Sequence, residues 1–129
     1  MPKTIRQSVT LKVSPRAVYD ALMDSQKHSR FTRAKAVISR RVGGSFSAYD
    51  GYALGKNLEL VPGKKIVQTW RASDWPRGQV SKVTFSLRKT NAGTQLTFTQ
   101  TGIPNNQVVS IKKGWIEFYW KPMKMLERA

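Results

Sequence analysis

A chain of 129 residues can bury one hydrophobic core and is too short to divide into two, so a single domain over 1–129 is expected. It contains no cysteine, which excludes a disulfide framework, a thiolate nucleophile and a zinc–thiolate site and suits a cytoplasmic protein, and no apolar run reaches the roughly 18 residues of a spanning helix. The 23 Lys and Arg against 7 Asp and Glu leave a formal net charge of +16, which favours an anionic surface, acidic protein or nucleic acid as partner.

Residues 3–13 alternate, with Ile5, Val9, Leu11 and Val13 on one file and Gln7 its lone polar member, which predicts a first strand. The same stretch has no acid before Asp20, the composition of a mitochondrial transit peptide, but its period of two favours the strand. Ser14-Pro15 supplies an N-cap and a first-turn proline for a short helix to about Asp24. Ser25 is expected to cap a second short helix through His28 to Phe31, so that the two make a V.

From residue 34 the period is two, punctuated by Gly43-Gly44, Asp50-Gly51, Pro62-Gly63, Trp75-Pro76-Arg77-Gly78 and Asn91-Ala92-Gly93. This predicts antiparallel strands at 34–40, 45–50, 52–60, 65–71, 80–89 and 94–101. Asp50-Gly51, between two tyrosines, predicts a two-residue type I′ hairpin. In the fifth of these strands Val83, Phe85 and Leu87 face inward, and Lys82, Thr84, Ser86 and Arg88 face water.

The tail from Gly102 to Ala129 predicts one long helix, because Val108, Ile111, Trp115, Phe118, Tyr119, Pro122 and Leu126 recur at helical spacing. Pro104 and Asn105 supply its start, and Pro122, which lacks a donor and crowds the carbonyl four residues back, predicts a kink. The order of elements gives an α+β helix-grip fold: a curved antiparallel sheet of six to seven strands wrapped on the C-terminal helix. A cavity is expected between them. Its lining would come from Val9, Leu11, Phe46, Gln68, Trp70, Phe85, Phe98 and Gln100 on strands, and from Trp115, Phe118, Tyr119 and Pro122 on the helix.

Trp70 and Trp115 read as core, whereas Trp75, beside a loop proline, and Trp120, off the main stripe, read as surface anchors for a partner. Gln7, Gln68 and Gln100 fall on files otherwise apolar, where a buried amide needs partners and either addresses a ligand or is satisfied by water or at a sheet edge. His28 is the single histidine and reads as a solvated helix residue, so no histidine metal pair or histidine relay can be assembled. Asp74 and Glu117 are two acids left for a cavity mouth, and nothing in the sequence places them together. No catalytic residue, cofactor or metal is expected.

The basic residues form three groups: Arg30, Arg33, Lys35, Arg40 and Arg41; Lys64, Lys65, Arg77, Lys82, Arg88 and Lys89; and Lys112, Lys113, Lys121 and Lys124. Lys64, Lys65, Arg77, Lys82, Lys112 and Lys113, with Trp75 and Trp120, are the expected partner-binding residues. Electrostatic attachment to RNA or ribosomes is a further option, although basic and exposed aromatic residues do not interleave along one groove.

An ordered series of motifs carries a resemblance over nearly the whole chain. It comprises Val42-Gly43-Gly44-Ser45-Phe46, Asp50-Gly51, Leu60-Val61-Pro62, Ile66-Val67-Gln68-Thr69-Trp70-Arg71, Trp75-Pro76 with Gly78, Thr99-Gln100-Thr101-Gly102-Ile103-Pro104, and Gly114-Trp115 with Tyr119-Trp120. These resemble the activator of heat-shock protein 90 ATPase homologue family, of the START and birch-pollen-allergen-like (SRPBCC) superfamily. The resemblance implies the helix-grip fold and heat-shock protein 90 as partner. In the two-domain eukaryotic co-chaperone a similar domain follows a separate N-terminal domain whose Asn/Trp-rich motif has no counterpart here, so the resemblance implies chaperone binding rather than full ATPase stimulation. The wider superfamily implies a small apolar ligand in the cavity as the alternative.

Overall fold

The computed structural model of the chain describes the backbone of residues 3–128 and the side chains of residues 3–126. Strand β1 (Lys3–Leu11) is followed by helices α1 (Pro15–Met23) and α2 (Ser25–Thr32). Next come β2 (Val37–Ile38), β3 (Ser45–Ala48), β4 (Ala53–Val61), β5 (Lys65–Ala72), β6 (Ser81–Thr90) and β7 (Gly93–Ile103). Among the described residues these strands form one antiparallel sheet in the order β1-β7-β6-β5-β4-β3-β2. The alternating N-terminal stretch is thus the edge strand β1, paired along β7 from Lys3 opposite Ile103 to Leu11 opposite Thr94.

The sheet curls around the C-terminal rod, as a helix-grip fold requires. That rod begins with a 3₁₀ turn (Asn105–Gln107), in which no side chain caps the helix, and continues as α3 (Val108–Trp115). A π-turn (Ile116–Trp120), the short α4 (Lys121–Met123) and a 3₁₀ turn (Lys124–Arg128) follow, while the expected end at Ala129 lies outside the described residues. The irregularity expected at Pro122 therefore takes the form of a π-turn just before it, with the Lys121 amide donating to the Ile116 carbonyl. In a regular α-helix the Phe118 carbonyl would accept from residue 122, which as proline has no N–H. The Tyr49 hydroxyl donates to that carbonyl instead, at 2.5 Å.

The extra residue in the π-turn also changes the phase of the helix. The expected stripe placed Phe118 inward and Trp120 outward; the structure buries Trp115, Tyr119, Trp120 and Met123 and leaves Phe118 57% exposed. No helix among the described residues is long and apolar enough to cross a membrane.

Local chemistry corrects three further details. Asp24, not Ser25, caps α2, its carboxylate accepting from the Lys27 amide at 3.0 Å, while the Ser25 hydroxyl instead accepts from the Ile38 amide. The type I′ turn sits one residue early, with Tyr49 and Asp50 at φ of 52° and 57° and the Gly51 amide closing on the Ala48 carbonyl. The Asp50 carboxylate accepts from the Lys35 amide and the Asp50 amide donates to the Lys35 carbonyl, which fixes that placement. The expected strand 34–40 shrinks to β2, because the Ser39 and Arg41 carbonyls accept from the Asn57 side chain rather than from a ladder.

Gly55 permits the close curl of β4 over β5. A Cβ there would meet the Thr69 carbonyl oxygen at 1.9 Å and the Phe46 ring at 2.5 Å, which no relaxed packing accommodates.

Candidate functional site

Trp115 is the centre of the buried face. Its ring meets Phe98 at 4.3 Å, Tyr119 at 4.6 Å, Trp70 at 5.8 Å and Phe85 at 5.9 Å between centroids. Its indole N–H donates to the Gln100 side-chain oxygen at 2.8 Å; the Gln100 amide donates to the Ser81 hydroxyl, which donates to the Trp70 carbonyl. A buried polar chain of this kind costs little only when every member is satisfied.

The other two glutamines on apolar files are likewise spent within the chain. Gln7 accepts from the Trp120 indole at 2.7 Å and donates to the Lys112 carbonyl, tying β1 to the C-terminal rod. Gln68 donates to the Asn57 side-chain oxygen at 3.0 Å, and Asn57 holds the loop ahead of β3. Sequence reasoning missed Asn57, which is buried on the same alternating file of β4 as Ala53 and Gly55, just before the bulge between Asn57 and Glu59.

Two tryptophans and the histidine differ from their expected surface positions. Trp75 is 4% exposed because its ring packs edge-on against Trp70, and Arg71 donates to the Trp75 and Pro76 carbonyls to hold the loop inward. Trp120 is 5% exposed and stacks on Trp115. His28 is 6% exposed, with Nδ1 3.1 Å from the Leu22 carbonyl and Nε2 2.9 Å from the Tyr119 hydroxyl. A carbonyl has no proton to give, so Nδ1 carries the hydrogen and Nε2 accepts from Tyr119. Burial of this neutral ring pushes its pKa down to about 4, while burial pushes the Tyr119 hydroxyl up.

The interior between sheet and rod is nearly full. Phe46, Gln68 and Phe85 border a void of only about 20 Å³, and Leu11, Phe98 and Gln100 are packed core, with Val9 partly buried beside them. The first sizeable space lies at the mouth, a cavity of about 310 Å³ between the β3–β4 turn and α3. Trp70, Trp115, Phe118 and Tyr119 line it together with Tyr49 and Tyr52, and among the described residues no charged side chain does. A second cavity of about 680 Å³ lies between α1, α2 and the C-terminal rod, with Pro122 in its wall. Tyr49 and Phe118 line both, so this ring pair, 5.5 Å apart, is the partition between them. Glu117 borders the second cavity and pairs with Lys121 at 2.7 Å; Asp74 lines neither.

The expected basic patch on β5 and β6 divides in two. Lys65 pairs with Ser86 and Thr69 with Lys82, so Lys64 and Lys65 lie at one end of β5 while Lys82 lies toward the other, about 13 Å away, with Arg77 in the loop beyond it. Lys65 is also paired with Glu59 at 3.5 Å. Lys112 and Lys113 are exposed on α3, and there they share a face with exposed Val109 and Ile116, at helical spacings of three, four and seven. Among the described residues no group of three or more metal-ligating side chains gathers.

Comparison with known proteins places this architecture. Two curated relatives are a protein named "Activator of 90 kDa heat shock protein ATPase homolog" from Dictyostelium discoideum, 35% identical over 88% of this chain, and "Activator of 90 kDa heat shock protein ATPase homolog 1" from Homo sapiens, 31% identical over 89%. The matches cover 30% and 34% of those two proteins, so the chain spans about a third of their length. The crystal structure of an Hsp90 activator from Plasmodium falciparum is 26% identical, with a TM-score of 0.84 over 98% of this chain and 95% of that one. The family profile described as "Activator of Hsp90 ATPase homolog 1-like protein" matches residues 12–126, and the chain belongs to that family.

Proposed function

We propose that this chain is a non-enzymatic, co-chaperone-like domain that binds heat-shock protein 90. The observation that supports it is the family match over residues 12–126, carried on a fold in which the side-chain amides of Gln7, Gln68 and Gln100 are bonded within the chain. The docking face is the outer side of α3, where Val109 and Ile116 flank Lys112 and Lys113. Apolar side chains beside mobile cations suit an acidic partner surface with a few apolar pockets. The charge of the whole chain speeds the encounter.

The test is calorimetric titration against purified heat-shock protein 90 at low and physiological salt, with ATPase turnover followed in parallel. The native chain is expected to bind in the micromolar range or tighter, and Lys112→Glu with Lys113→Glu to weaken binding by about tenfold or more. Equal affinity of the variant would remove the assignment of this face, and absence of binding by the native chain would remove the partner.

A second reading rests on the 310 Å³ cavity, which is apolar, uncharged and within the size range of small-molecule sites. In this reading the domain carries a small neutral apolar ligand under Trp115 and Tyr119. Ser110→Trp, placed from the exposed side of α3 into that space, is expected to abolish uptake of a neutral apolar dye. Unchanged uptake would exclude it.

A further inference from the structure

The second cavity has a chemistry that the first lacks. Its floor is apolar, formed by Val13 before α1, Phe31 on α2, and Pro122, Met125 and Leu126 on the C-terminal rod. Its rim carries Lys27, Arg30 and Arg33, all exposed, and none of them makes an ion pair with an acid among the described residues. Among the described residues the single carboxylate in its wall is Glu117, which is paired with Lys121. Arg30 and Arg33 also sit in and just after the last turn of α2, where cations complement the carbonyl end of a helix, but that accounts neither for Lys27 in its first turn nor for the apolar floor beneath all three. The volume of about 680 Å³ is that of a small-molecule site.

We propose that this cavity binds an amphipathic monoanion, an alkyl or aryl carboxylate whose apolar body lies on Phe31, Pro122 and Leu126 and whose head group is held by Lys27, Arg30 and Arg33. Guanidinium groups take a carboxylate through paired hydrogen bonds, and an apolar floor rejects small hydrophilic anions that cannot use it. The Tyr49–Phe118 partition keeps the two cavities chemically separate, the uncharged one for neutral molecules and the basic one for anions. This inference is independent of binding to heat-shock protein 90.

The experiment is isothermal titration of the full chain with decanoate and with decanol, which share a chain length and differ in the charged head. Decanoate is expected to bind at least tenfold more tightly than decanol, a difference of about 1.4 kcal/mol. Arg30→Gln with Arg33→Gln is expected to remove that preference while leaving decanol unchanged. Ala17→Trp, on the exposed side of α1 and in the cavity wall, is expected to block decanoate, whereas Ser110→Trp in the other cavity leaves it intact. Circular dichroism and thermal melting verify that each variant is folded. Equal binding of decanoate and decanol, loss of decanoate binding with Ser110→Trp alone, or binding only to anionic vesicles and not to free decanoate would each overturn the assignment.

Discussion

The buried His28 makes stability depend on pH in a window where few other groups titrate. Folding lowers its pKa from 6.5 to about 4, because burial disfavours the imidazolium. Between those values the unfolded chain binds more protons than the folded one, so stability is full above about pH 6.5 and falls as the pH is lowered toward 4. At 1.36 kcal/mol per pH unit the loss is on the order of 3 kcal/mol. His28→Gln keeps the geometry, since an amide N–H can donate to the Leu22 carbonyl and an amide oxygen can accept from the Tyr119 hydroxyl. It does not titrate. Urea unfolding at intervals from pH 7 to pH 4 is therefore expected to show a steeper decline for the native chain than for the variant, by on the order of 3 kcal/mol across the window. Carboxylate protonation acts on both proteins alike and cancels. Parallel declines, or an NMR titration of the His28 ring with a midpoint near 6.5, would refute the account.

Other perturbations test the packing around the site. Gln100→Leu strands the Trp115 indole N–H and is expected to cost about 2–3 kcal/mol in urea unfolding with an unchanged denaturant slope. Gly55→Ala sets a methyl group against the Thr69 carbonyl and the Phe46 ring, so soluble folded protein is expected to be lost or its stability lowered by more than about 4 kcal/mol. Tyr49→Phe removes the donor to the Phe118 carbonyl at the π-turn, and a drop of about 1 kcal/mol is expected in thermal unfolding, with the ring partition retained.

The sequence by itself determined the element order, the antiparallel meander and the inward files, because a period of two or of 3.6 is written residue by residue and each strand needs one buried face. It also determined the Ser14 cap of α1, whose hydroxyl accepts from the Ala17 amide, since that chemistry spans only three residues. What it left open depends on contacts between residues far apart. Whether Gln7 and Gln100 face a ligand or the chain is decided by Trp120 and Trp115, which lie 113 and 15 residues away along the sequence. His28 looks solvated beside Lys27 and Arg30, and only the arrival of Tyr119, 91 residues on, makes it a buried neutral base. Trp120 falls off an ideal helical stripe and returns to the core because a π-turn ahead of Pro122 shifts the phase, a departure of backbone that periodicity assumes away. The cavities belong to the same class of feature. Their walls come from α1, α2, the β3–β4 turn and the C-terminal rod together, and the volume left over is set by how far those elements approach one another in space.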